Sequence, residues 1–265
     1  MRIDEHKCVA CGNCVPICPM GAISIDAARN RAVVNPDECV ECYTCYRGMS
    51  MEKLNPTLVR GIRRVLKAFR LRFDPEPDVC PTSAITLDEL SWPRVVRCAF
   101  SDSIVTHEST GVHGRGTEEV KTNDVTNRVG IGEVGYVVEF GRPTVGVRFR
   151  DIEKMTQALA EIGIEFEAKN PVTHLMTDRK TGKLRDDILN EKILSAIVEF
   201  KTPIENVPAV LHRIEEVSRT LDTVVAVGVS TRCGENGESA LDDVLSEEGF
   251  AFVRGKTNLG MGRRL

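Results

Sequence analysis

The chain has 265 residues, 42% hydrophobic and 28% charged, with a formal net charge of −4, a composition that fits a globular protein and excludes a disordered one. The acidic balance argues against general nucleic-acid binding, which shows a basic excess. The longest aliphatic run, residues 224–229, falls far short of the ~20 residues that span a bilayer, and the opening MRIDEHKCVACG lacks the apolar core of a secretory leader. A cytoplasmic protein without stable membrane insertion is expected.

Ten cysteines are present. Reducing compartments disfavour structural disulfides, so clustered cysteines there point to metal binding. The first run, CVACGNCVPICP, sets Cys8, Cys11, Cys14 and Cys18 in the order C-x2-C-x2-C-x3-C-P. The second, CVECYTC, repeats the three-cysteine spacing with Cys39, Cys42 and Cys45. Its fourth member comes late, as Cys80 before Pro81, and CPMGAISID from Cys18 is echoed by CPTSAITLD from Cys80. Residues 1–90 therefore read as a duplicated half-module, interrupted by an insertion over 46–79. Two intervening residues let the chain curl round a cubane so that successive thiolates reach successive irons. Zinc also binds CxxC pairs, but three cysteines at double x2 spacing with a CP ending, twice in one chain, fit two 4Fe–4S clusters better.

This segment resembles the bacterial two-cluster ferredoxins. The resemblance implies that the fourth thiolate of each cluster crosses from the other motif. One cluster would use Cys8, Cys11, Cys14 and Cys80, the other Cys39, Cys42, Cys45 and Cys18. It also implies low-potential, one-electron transfer to or from a partner.

Within the insertion, Leu58, Ile62, Val65, Leu66 and Phe69 recur at helical spacing and predict one apolar stripe. Pro56 and Pro75 bracket the helix. Arg60, Arg63, Arg64, Lys67, Arg70 and Arg72 supply a basic face, with no acidic residue from 54 to 73. Such a helix suits packing on its own domain with the arginines in water, docking of an acidic redox partner on residues 58–72, or a membrane surface.

Residues 91–130 are expected to be a linker and a polar, glycine-punctuated loop, with strand-like pieces after Pro93. The loop carries His107, Glu108, His113, Arg115, Glu118, Glu119, Lys121 and Asp124. His113 is a candidate proton donor or acceptor, and Arg115 a candidate clamp for a carboxylate or phosphate. The segment running on into GEVGYVVEFGRP resembles, more loosely, the region after the ferredoxin module of 6-hydroxynicotinate reductases. Those are iron–sulfur flavoproteins that reduce an aromatic ring. This resemblance implies a reductase or a subunit of one, with flavin on this chain or a partner. GIGEVG, at Gly130, Gly132 and Gly135, matches a dinucleotide pattern, yet polar residues precede it and a strand follows, the reverse of what phosphate binding needs.

Residues 131–265 contain a second repeat, in which YVVEFGRP from Tyr136 is echoed by AIVEFKTP from Ala196. Each copy leads into an amphipathic helix, with Ile152, Met155, Leu159 and Ile162 in the first and Val210, Leu211, Ile214, Val217 and Leu221 in the second. Strands near Ile164 and Thr223 follow. The pattern predicts a split-βαβ sandwich, antiparallel and of the α+β class. Cys98, in VVRCAF, reads as a buried small side chain, and Cys233 as a loop thiol. The combined expectation is an electron-transfer subunit of an anaerobic oxidoreductase. A reductase in its own right and a ligand-sensing iron–sulfur protein are the alternatives.

Overall fold

The computed structural model describes residues 1–48, 54–71, 80–106 and 128–255. It divides into two compact units, Met1–Asp102 and Ser103–Leu265. The first contains β1 (Arg2–Ile3), α1 (Cys14–Ile17), β2 (Ile23–Asp26), β3 (Arg31–Val34), α2 (Thr44–Arg47), α3 (Pro56–Ala68), β4 (Ile85–Thr86) and α4 (Val95–Ser101). β2 and β3 form a hairpin in which Ile23 faces Val34 and Asp26 faces Arg31. Its turn is closed by the Asp26 carboxylate, which accepts from the N–H groups of Ala28 and Arg29. β1 pairs antiparallel with β4. Each copy of the CPxxAI repeat thus delivers one strand, β2 after Cys18 and β4 after Cys80. The core is small: Ile23, Ala32, Ala84 and Ile85 pack with Cys8, Cys14, Cys39, Cys45 and Cys80.

Helix α3 forms where expected. Asn55 caps it, its side chain accepting from Thr57 N at 2.9 Å and Leu58 N at 3.3 Å, and Pro56 stands in the first turn. Its orientation departs from one of the three readings, that of an apolar stripe packed on the domain with the arginines in water. Val59 is its buried residue, while Leu58, Ile62, Val65 and Phe69 are exposed, Phe69 by 72%. Arg60 and Arg63, expected in water, instead reach main-chain carbonyls of the Cys8 loop. The guanidinium forks satisfy part-buried carbonyl acceptors that an aliphatic face could not, so the basic side is the one that packs against the loop.

The strand-like reading of VVRCAF is also corrected. α4 is a helix, with Val96, Arg97, Phe100 and Ser101 buried at helical spacing and Arg97 reaching back to the chain at Pro36 and Cys39. Val95 and Val96 favour a strand only weakly, and tertiary contacts override that preference.

The second unit is built on β5 (Glu133–Phe140), β6 (Val147–Arg148), α5 (Phe149–Glu161), β7 (Glu165–Phe166), α6 (Pro171–His174), β8 (Met176–Asp178), β9 (Lys183–Leu184), β10 (Lys192–Ile193), β11 (Ala196–Pro203), α7 (Val207–Ser218), β12 (Val225–Thr231) and α8 (Ala240–Glu247). Its main sheet has the order β12-β5-β11-β7, every pair antiparallel. Val138 of β5 lies opposite Val198 of β11, its counterpart in the repeat, so the two copies meet about a local two-fold axis. Tyr136 stacks on Phe200 with ring centroids 4.7 Å apart. Tyr136, Val138, Phe140, Ile152, Met155 and Leu159 are fully buried, whereas Ile162, expected in the stripe, is 42% exposed at the end of α5. The strand near Ile164 is only two residues long. Gly141 explains one departure within the repeat. At φ +85°, a Cβ there would lie 2.7 Å from the Leu194 carbonyl, so this position rejects the lysine that its counterpart carries.

Candidate metal centres

The eight clustered cysteines fall into two groups of four. The Cys8 loop opens after Asp4, whose carbonyl accepts from Cys8 N at 2.8 Å, and continues through Ala10 and Gly12, both at positive φ, into α1 at Cys14. A cavity here is lined by Cys8, Cys11, Cys14 and Cys80, with Ile3 and Ile85 among the side chains around them. Burial pushes the Cys14 thiol up to about 12, and the neighbouring Cys11, Cys8 and Cys80 add to the rise. Burial likewise raises Cys11, while Arg63 acts to lower it. Clustered thiols that resist ionising alone are a donor set for a cationic group, which supplies the missing positive charge.

The other group gathers where the second motif meets the end of α1. Burial pushes Cys45 up to about 12, followed by the effects of Cys42, Cys18 and Cys39. Glu41 and Tyr43, at φ 54° and 58°, bend the loop between these cysteines. Main-chain N–H groups point at three sulfurs: Ala22 N to Cys18 Sγ at 3.2 Å, Ala84 N to Cys80 Sγ at 3.2 Å, and Ala32 N to Cys8 Sγ at 3.3 Å. The first two are the same bond in the two copies of the CPxxA repeat. N–H···S bonds stabilise an electron-rich sulfur and help set a cluster's potential.

Sequence reasoning passed over the polar frame of the second loop. Glu41 is 1% exposed and accepts from Arg94 Nε at 2.9 Å, Arg94 Nη2 at 2.6 Å and the Met1 amine at 3.0 Å. Arg97 donates to the carbonyls of Pro36 and Cys39, each at 2.8 Å. Arg47 reaches the Cys42 carbonyl at 3.3 Å and forms an ion pair with Asp102. A carboxylate inside a CxxC spacer, with arginines fifty residues on, was the available signal. Tyr43 is held neutral by burial, with Cys98 beside it. Cys98 is half-buried on α4, and Cys233 is exposed.

His107, His113, Arg115 and the rest of their loop lie outside the described residues, as does Arg72. Gly132 makes a positive-φ turn directly into β5, so strand follows GIGEVG as expected. Among the described residues, no helix is long and apolar enough to cross a membrane.

The family described as the 4Fe-4S dicluster domain matches residues 1–48. Ferredoxin-1 of Rhodobacter capsulatus is 43% identical over 42 residues, 16% of this chain and 62% of its own length. A ferredoxin-like protein in the vnf region of Azotobacter chroococcum is 40% identical over 42 residues, with the same coverage. Protein NrfC of Escherichia coli K12 is 33% identical over 107 residues, 35% of this chain and 45% of its own length. The chain therefore spans less than two thirds of these relatives. No solved structure matches it. The N-terminal segment is a 4Fe-4S dicluster domain, joined to a mixed helix-and-strand unit.

Proposed function

We propose that this protein transfers single electrons through two 4Fe–4S clusters, as a subunit of an oxidoreductase complex of anaerobic metabolism. The observation that carries the reading is the division of eight thiols into two groups, each completed by a cysteine from the other motif. Cys8, Cys11, Cys14 and Cys80 would hold one cluster, and Cys18, Cys39, Cys42 and Cys45 the other. A cluster supplies a site that gains and loses one electron. The chain's residues bind it by four thiolates, shield it with Ile3, Ile23 and Ile85, and direct N–H groups at its sulfur ligands.

The partner is read as a redox protein with an apolar patch rimmed by carboxylates, seated on the outer side of α3. Leu58, Ile62, Val65 and Phe69 are exposed there, with Arg64, Lys67 and Arg70 beside them. Charge complementarity selects an acidic surface and opposes a second copy of this helix. A lipid surface would satisfy the same charges but offers no electron acceptor. The second unit is read as a split-βαβ sandwich, supported by its β-α-β repeats and by the strand order β12-β5-β11-β7.

Anaerobic isolation with whatever chains co-purify tests the reading. The reduced protein, mixed with the co-purifying oxidoreductase, should bleach and recover in one-electron steps, with no substrate turnover of its own. Flavin absorbance in the isolated chain, with turnover that falls on changing His113 or Arg115 to Ala, would replace this reading with that of a reductase.

A further inference from the structure

We propose that Arg60 and Arg63 make the cluster of Cys8, Cys11, Cys14 and Cys80 the easier of the two to reduce. The inference rests on the ligand sets proposed above. Both arginines stand on the buried side of α3 and hold the cluster loop by its main chain. Arg63 Nη2 donates to the Ala10 carbonyl at 2.8 Å. Arg60 Nη2 donates to the carbonyls of His6 and of Cys8, the latter at 3.2 Å. Ala10 immediately precedes Cys11.

Two features set these arginines apart from those around the second loop. Among the described residues, neither Arg60 nor Arg63 pairs with a carboxylate. Arg47, by contrast, meets Asp102, and Arg94 meets Glu41. Glu41 also places a negative charge inside the second loop itself. Arg60 Nε, moreover, is buried without a hydrogen-bond partner, a cost that a negatively charged neighbour would offset. Among the described residues, the first loop therefore carries two cations that no carboxylate pairs with. The second carries Arg97 together with ion pairs that largely cancel.

The consequence follows from charge alone. When one electron arrives from a donor protein, a cluster and its four thiolates gain one negative charge. No bond breaks, and no proton is required. A fixed cation nearby lowers the free energy of the reduced form, and partial burial limits the screening of that effect by water. The insertion between Cys45 and Cys80 would thus do more than lengthen the chain. Its helix makes two otherwise similar clusters unequal, so an electron rests first on the cluster beside α3.

Redox titration of the anaerobic protein, followed by electron paramagnetic resonance, tests this. Arg63→Gln should lower one of the two potentials by about 59 mV, a tenfold change in a one-electron equilibrium, and change the reduction equilibrium of the other by less than about twofold. Arg60→Gln should act on the same cluster and in the same direction, and stands in if Arg63→Gln loses iron. Arg63→Lys, which keeps the charge but not the fork, should retain most of the wild-type potential. Arg64→Gln, on the exposed side of the same helix, should move neither. Both potentials moving equally, or neither moving at full iron content, would overturn the proposal while leaving electron transfer intact. Wild-type protein with fewer than two clusters would instead overturn the reading on which it rests.

Discussion

Glu41→Gln should be the most damaging single change in the first unit that touches no cysteine. The Glu41 side chain is fully buried and takes part in two ion pairs, with Arg94 at 2.6 Å and the Met1 amine at 3.0 Å. Breaking a buried ion pair from one side costs about 3–5 kcal/mol, because the surviving charge stays desolvated. Two facts place this case at the lower end. The Arg94 side chain is 32% exposed, and the Met1 amine keeps Asp88 at 3.2 Å. A loss of about 3 kcal/mol corresponds to ~10²-fold in an equilibrium constant. Glu41 stands between Cys39 and Cys42, so the cluster nearest it should be lost first. The assay is the half-time of cluster absorbance at fixed urea under argon, expected to shorten by ~10- to ~10²-fold in Glu41→Gln. The double variant Glu41→Leu with Arg94→Met should recover most of the loss, since apolar replacement removes both charges together. A half-time within twofold of wild type in Glu41→Gln would refute the reasoning.

Other perturbations have equally definite outcomes. Cys18→Ala should spoil the cluster associated with Cys39, Cys42 and Cys45, and Cys80→Ala the one associated with Cys8, Cys11 and Cys14; spectra in which Cys18→Ala disturbs the Cys8 group would contradict the ligand sets. Asn55→Ala removes a side chain that caps two N–H groups of α3 and should cost ~1 kcal/mol. Hydrogen exchange over α3 should then quicken by about fivefold, and unchanged exchange would count against the cap. Arg64→Gln with Lys67→Gln should slow reduction by the acidic partner at low salt, with the difference shrinking as the Debye length falls to ~8 Å. Equal rates at low salt would remove α3 from the docking surface.

Some of this architecture could be read from the residues because it is local and repeated. The x2 spacings bring thiols together within a few residues, and the CPxxAI echo marks the duplication, each copy of which leads into one strand, β2 or β4. The YVVEF and AIVEF copies foretold two central strands, and these pair with Val138 opposite Val198. What the sequence concealed was the direction in which amphipathic elements face. The pattern of α3 has an apolar and a basic side, and hydrophobic burial alone would choose the apolar one. The choice went the other way because the carbonyls of His6, Cys8 and Ala10 need donors, a demand made fifty residues upstream of the helix. Arg94 and Arg97 were equally opaque. They act on Glu41, Pro36 and Cys39, across a sequence separation that periodicity does not reach. Val95 and Val96 suggested a strand, and only the reach of Arg97 into the second loop shows why a helix is needed there.

Iron and acid-labile sulfide, counted per chain in protein purified without exposure to air, test the central claim most directly. Two cubanes require about eight of each, and that is the expected result. A value near four of each, or zinc in place of iron, would contradict the account.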